Sequence, residues 1–263
     1  MKDVRAKKYL GQHFLKDLQV AQRIAESLDL QSPACVIEVG PGMGVLTQYL
    51  IKNPLIDLTA VELDSESVAY LAEYYPELKV VEGDFLRLNL NEIVGEEGQF
   101  MIIGNYPYNI SSQIFFKVLE YRDRIPVCSG MVQKEVAERI AAPHGSKTYG
   151  ITSVLLQAFY DIEYLFTVEP GAFNPPPKVK SAVFRMKRND VQSLGCDEKL
   201  FIQVVKTSFN QRRKTLRNSL KPVLQGRVMV DDILNKRPEQ LSVVDFVHLT
   251  NLVQEILSQP PSL

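Results

Sequence analysis

From about residue 34 the chain alternates short runs rich in β-branched residues with stretches of helical spacing, and this alternation leaves few folds open. Cys35–Val39, Leu58–Glu62, Leu78–Glu82, Phe100–Gly104 and Val127–Val132 have the length and composition of buried strands. Val45–Lys52, Ser65–Tyr74 and Ser111–Tyr121 lie between them with helical periodicity, and Lys134–Ala141 follows the last. Strands and helices in turn build a doubly wound, Rossmann-like α/β sheet with helices on both faces. In such a sheet ligands bind beyond the carboxyl ends of the strands. A further strand pair is expected at Asp161–Val168 and Ser181–Lys187, around the turn Asn174-Pro175-Pro176-Pro177. Asp17 is placed to cap a helix running to about Leu28.

After Arg188 the pattern changes. Asn189 to Cys196 reads as a linker, and apolar residues then recur at helical spacing: Leu200, Val204, Val205 and Phe209, then Phe246, Leu249, Val253, Ile256 and Leu257. Two domains are expected, a catalytic α/β domain over residues 1–188 and a small all-helical one over 189–263. A chain of 263 residues accommodates both.

Composition excludes several classes. The hydrophobic fraction of 45% and charged fraction of 23% are those of a soluble globular protein, and no apolar run reaches the ~18 residues of a membrane span. The start is basic but lacks the apolar core of a secretory signal. Cys35, Cys128 and Cys196 form no CxxC pair, and His13, His144 and His248 are dispersed, so neither a disulfide frame nor a zinc centre is expected. A cytoplasmic protein with reduced thiols fits these features, and a monomer is the default expectation. The net charge of −1 conceals basic clusters at Lys2, Arg5, Lys7 and Lys8, at Lys178 to Arg188, and at Lys206 to Lys221. The last contains Arg212, Arg213, Lys214 and Arg217 with no acidic residue between, a pattern suited to a phosphate backbone.

Chemistry concentrates at the strand ends. Glu38-Val39-Gly40-Pro41-Gly42-Met43-Gly44 follows the first strand, where glycines let a ligand approach the main chain. Glu62 ends the second strand about twenty residues on, where a carboxylate can accept hydrogen bonds from ribose hydroxyls. Asp84 ends the third, placed either to accept an adenine amino group beside Phe85 or to cap the next segment. Asn105-Tyr106-Pro107-Tyr108 follows the fourth. There an amide oxygen and a proline carbonyl can accept hydrogen bonds from an exocyclic amine while Tyr108 lies on the ring face. The adenosine-binding features suit NAD, ATP and S-adenosylmethionine alike. No GxxxxGK[ST] motif and no hydride-transfer constellation occurs, and a clamp for a substrate amine favours methyl transfer.

EVGPGMGVLT, AVELD, EGDFL and GNYPYNISS, flanked by YLGQHFLKD and NPPPKVKSAV, together resemble the motif series of the ribosomal RNA adenine dimethyltransferases. The resemblance covers residues 7–188 and is nearest to the bacterial small-subunit type. It implies S-adenosylmethionine as methyl donor and dimethylation of two neighbouring adenosines near the 3′ end of 16S rRNA. The partner would be the immature small ribosomal subunit. The resemblance further implies that His13 and Leu15 border the cofactor entrance and that Gly40 and Gly42 pass beneath its methionine portion. Glu62 would then hold the ribose, Asp84 the adenine amine, and Asn105 both the cofactor surroundings and the target. Tyr106 departs from the family's usual Leu or Ile, which raises a packing question. Two alternatives are a large-subunit methyltransferase of the erythromycin-resistance type and an assembly checkpoint factor with methylation secondary.

Overall fold

The computed structural model describes residue 7 and residues 11–259. The described residues form nine strands: β1 (Phe14–Leu15), β2 (Ala34–Val39), β3 (Ile56–Glu62), β4 (Lys79–Glu82), β5 (Phe100–Asn105), β6 (Val127–Gln133), β7 (Tyr160–Val168), β8 (Phe173–Asn174) and β9 (Ser181–Arg188). The helices are α1 (Leu18–Glu26), α2 (Thr47–Leu50), α3 (Ser65–Tyr74), α4 (Leu90–Val94), α5 (Ser111–Glu120), α6 (Lys134–Ile140), α7 (Ile151–Gln157), α8 (Glu198–Asn210), α9 (Leu216–Ser219), α10 (Lys221–Leu224) and α11 (Val243–Ser258).

Two compact units result, residues 1–137 with 161–188, and residues 138–160 with 189–263. The first holds a seven-stranded sheet in the order β4-β3-β2-β5-β6-β9-β7. β4, β3, β2, β5 and β6 are mutually parallel, and β9 joins β6 antiparallel. The winding reverses between β2 and β5, which opens a crevice at their carboxyl ends. Buried strands explain the near-continuous apolar runs: Val36, Ile103, Met131 and Val183 pack with Ala21 and Ile24 of α1 and Leu28 of the turn after it. Asp17 caps α1, accepting from the Gln19 and Val20 N–H groups.

Tyr106 is fully buried, and its packing explains two glycines. Its hydroxyl donates to the Ser129 carbonyl at 2.7 Å, and its ring lies against Phe184. A Cβ at Gly130 would overlap the Gly104 carbonyl and approach the Tyr106 ring to 2.6 Å; one at Gly104 would sit 2.6 Å from the Val39 carbonyl. The larger aromatic is thus housed by glycines on β5 and β6.

The second unit is helical. α7 packs on α8 and α11, which draws residues 138–160 into this unit. Phe209 stacks on Phe246 and meets Tyr149 edge-on. Ser242 and Asp245 form a reciprocal cap at the start of α11. Among the described residues no helix is long and apolar enough to cross a membrane, and no group of His, Cys, Asp and Glu could hold a metal ion.

Candidate active site

The carboxyl ends of β2, β3, β4 and β5 open on one cavity of about 410 Å³. It is lined by His13, Leu15, Gly40, Gly42, Glu62, Asp84, Phe85, Asn105, Pro107 and Tyr108, so the residues singled out at four strand ends face a single space. The turn after β2 requires its glycines: Gly40, Gly42 and Gly44 have φ of 67°, 56° and 78°. A side chain at Gly42 would press on the Phe14 ring at 3.0 Å, so the main chain there stays bare toward the cavity.

Glu62 is buried at the end of β3. One carboxylate oxygen accepts from the Leu63 and Asp64 N–H groups, both at 2.9 Å, and the other accepts from Gly42 N–H at 3.0 Å. Burial pushes the carboxyl above its ordinary range, while these three backbone donors oppose the rise. An oxygen with one N–H partner keeps acceptor capacity for a hydroxyl. Of its two expected parts, Asp84 fills that of a turn cap and also pairs with Arg87. One oxygen accepts from Leu86 N–H at 3.0 Å, as a turn cap does, and the other lies 3.3 Å from the Arg87 guanidinium. Phe85 beside it is buried and presents an apolar wall.

Asn105 ends β5 with its amide orientation fixed. Its side-chain N–H₂ donates to the His13 carbonyl at 3.2 Å, which leaves the amide oxygen as the group able to accept from a ligand. The Pro107 carbonyl already accepts from Ile110 N–H at 3.2 Å. Its second lone pair is what remains for a substrate amine. Tyr108 is held at both ends: its hydroxyl hydrogen-bonds the buried Ser181 hydroxyl, and its ring stacks on His13 at 5.3 Å between centroids. The His13 ring is itself fixed through Nδ1, 3.0 Å from the Pro175 carbonyl. β1 and β8, too short to read from sequence, pair Phe14 and Leu15 with Asn174 and Phe173 and seat this segment.

Several residues of the cavity wall and of the layer behind it escaped sequence reasoning. Glu38 is fully buried in β2 and accepts from the Thr47 hydroxyl at 2.7 Å. Burial pushes its carboxyl up to about 8, with repulsion from Glu62 adding to the rise and the Thr47 bond opposing it. Its place in the Glu-x-Gly-x-Gly-x-Gly run was the available signal. Ser181 and Asp64 carried none, since each acts through a partner remote in sequence. Arg212, Arg213, Lys214 and Arg217 lie in the helical unit and are exposed. Arg212 donates to the Lys147 carbonyl, and Arg217 to the Asn235 side chain at 3.2 Å. Lys2, Arg5 and Lys8 fall outside the described residues.

Comparison with known proteins shows the family. The family model for ribosomal RNA adenine dimethylase matches residues 4–257. A ribosomal RNA small subunit methyltransferase A from Parabacteroides distasonis is 64% identical over 264 residues, covering 98% of each chain. One of the same description from Bacteroides thetaiotaomicron is 63% identical, covering 98% of this chain and 97% of that one. Among solved structures, a dimethyladenosine transferase from Plasmodium falciparum superposes with a TM-score of 0.77 at 26% identity, covering 93% of this chain and 98% of that one. The 23S rRNA methyltransferase ErmE follows with 0.67 at 25%, covering 92% and 99%. With the family model spanning nearly all of its length and such relatives matched end to end, the chain belongs to the ribosomal RNA adenine dimethylase family and is a methyltransferase.

Proposed function

We propose that this enzyme uses S-adenosylmethionine to dimethylate the exocyclic amines of two adjacent adenosines near the 3′ end of 16S rRNA, in the immature small subunit. The observation that carries the reading is the Asn105 amide, whose N–H₂ donates to the His13 carbonyl and whose oxygen is left to accept a hydrogen bond from an amine. The cavity fits the donor chemically: a bare glycine turn, a Glu62 oxygen with acceptor capacity for a ribose hydroxyl, and Asp84 beside the Phe85 wall for an adenine. When bound, that donor supplies an electrophilic sulfonium methyl. His13 and Leu15 would border its entrance, with Gly40 and Gly42 beneath its methionine portion. The sequence relatives named for the small subunit are 56–64% identical, against 25% for ErmE, so the large-subunit alternative is not favoured.

The chain's own residues then do the following. An adenine amine is a poor nucleophile because its lone pair is delocalised into the ring. Accepting hydrogen bonds from its two N–H groups at the Asn105 oxygen and the Pro107 carbonyl favours a pyramidal nitrogen with the lone pair free. Tyr108, fixed by Ser181 and His13, sets the ring plane, so most of the rate gain is alignment and oriented dipoles. Extruding the base costs a few kcal/mol, least from an unpaired loop. Arg212, Arg213, Lys214 and Arg217 would grip phosphates of the RNA. An Asn105→Ala variant should bind S-adenosylhomocysteine nearly as the wild type does yet lose about 10²–10³ in single-turnover rate, the cost of one oriented polar group at a reacting centre. A rate near wild type would refute the clamp.

A further inference from the structure

The sequence groups Lys7 with the basic residues of the start, as a candidate phosphate contact. Its ammonium is otherwise engaged. Lys7 Nζ lies 2.5 Å from an Asp64 oxygen and 3.1 Å from Glu66. The Lys7 N–H donates to the Gln12 side-chain oxygen at 2.8 Å, and the Gln12 amide donates to the second Asp64 oxygen at 3.3 Å. Asp64 also accepts from the Glu66 N–H and the Ser67 hydroxyl. Its side chain is 1% exposed. Burial pushes the Asp64 carboxyl up, but the bonds from Lys7, Gln12 and Glu66 outweigh it and the group ends below its ordinary value.

Asp64 is two residues from Glu62 and donates its own N–H to the Glu62 carboxylate. Gln12 is next to His13, whose carbonyl orients Asn105. Beside Gln12, Gly11 has φ of 66° and sits so close to Asn109 that a Cβ would approach its side-chain oxygen to 2.6 Å. Residues 11–15 all line the cavity. One strap therefore spans from the carboxylate read as the ribose holder to the amide read as the amine acceptor.

We propose that Lys7 is a positioning residue for the methyl donor, clasping Asp64 together with Gln12 so that the strap over residues 11–15 is held in its binding geometry. This rests on the pocket reading given above. Lys7 touches neither donor nor RNA in this role. It lowers the ordering cost of the strap, so its removal weakens binding of the donor by letting the segment lift. A buried carboxylate stripped of its cationic partner adds to the loss.

The test is calorimetric titration of S-adenosylhomocysteine, without RNA, into wild type, Lys7→Met and Lys7→Arg, with melting temperature recorded for each. Binding by the wild type checks the pocket reading separately; no binding there would sink that reading and the clasp with it. Lys7→Met is expected to bind about tenfold more weakly, the scale of a lost preorganising contact. Lys7→Arg should recover most of that affinity. In steady state the loss should fall on KM for the donor and not on kcat. Unchanged affinity in Lys7→Met overturns the proposal. So does an equal loss in Lys7→Arg, which would indicate packing without a role for charge. Weakened RNA binding with intact donor binding would return Lys7 to the phosphate contacts.

Discussion

At the scale of single residues, the site is made of polar groups with one valence occupied and another free. Glu62 spends three bonds on backbone N–H groups, Asn105 spends its N–H₂ on His13, and Pro107 spends one lone pair on Ile110. The occupied half fixes orientation, and all three residues line the cavity. In the proposed reading this is electrostatic preorganisation, since the acceptors would need no rotation to meet a substrate. Glu38 shows the cost of packing acids beneath such a pocket. With its carboxyl near 8 in the folded chain against an ordinary 4.5, the folded state binds more protons across that window than the unfolded one. Stability attributable to Glu38 therefore falls as pH rises from 4.5 toward 8. A Glu38→Gln variant keeps an acceptor for Thr47 and removes the titration. Its melting temperature should exceed the wild type's by a margin that widens between pH 5 and pH 8. A margin independent of pH would contradict the assignment.

At the scale of elements, the strands were legible because a parallel sheet buries both faces and writes continuous apolar runs. The five strands expected from residues 35–132 appear within a residue or two, as does the later pair around Pro175. Short pieces were not legible. The expected helix Val45–Lys52 contracts to Thr47–Leu50, because the glycine turn consumes its first residues and a tight turn follows. β1 and β8 are two residues each and exist only through each other. At the site, residue types at strand ends revealed Glu62, Asp84 and Asn105, whereas Asp64 and Ser181 act through partners 57 and 73 positions away. The question raised by Tyr106 is answered by neighbours on another strand, Gly130 and Ser129. Gly130 has φ of 148° and no room for a Cβ. Gly130→Ala should destabilise by about 3 kcal/mol or more, as overpacking joins backbone strain. Tyr106→Phe should cost only about 1 kcal/mol, the net value of one hydrogen bond. Urea denaturation of both variants checks the ranking, and a silent Gly130→Ala would show that β5 and β6 are not so closely packed.

At the scale of the whole molecule, a near-neutral chain carries a strongly basic stretch within its helical unit. Phosphate contacts there should make RNA affinity fall steeply with salt, and neutralising Arg212, Arg213 and Lys214 together should flatten that slope by about two to three phosphate equivalents. An unchanged slope would move RNA binding elsewhere. The central claim is that one crevice brings a methyl donor to an everted adenine of small-subunit RNA. Its most direct measurement is incubation of purified enzyme and labelled S-adenosylmethionine with small and large subunits from a strain lacking this methylation, followed by nucleoside analysis and primer extension. The account predicts label in dimethyladenosine at two adjacent adenosines near the 3′ end of 16S rRNA, with none in 23S rRNA. Label confined to 23S rRNA, or in any nucleoside other than methylated adenosine, would contradict it.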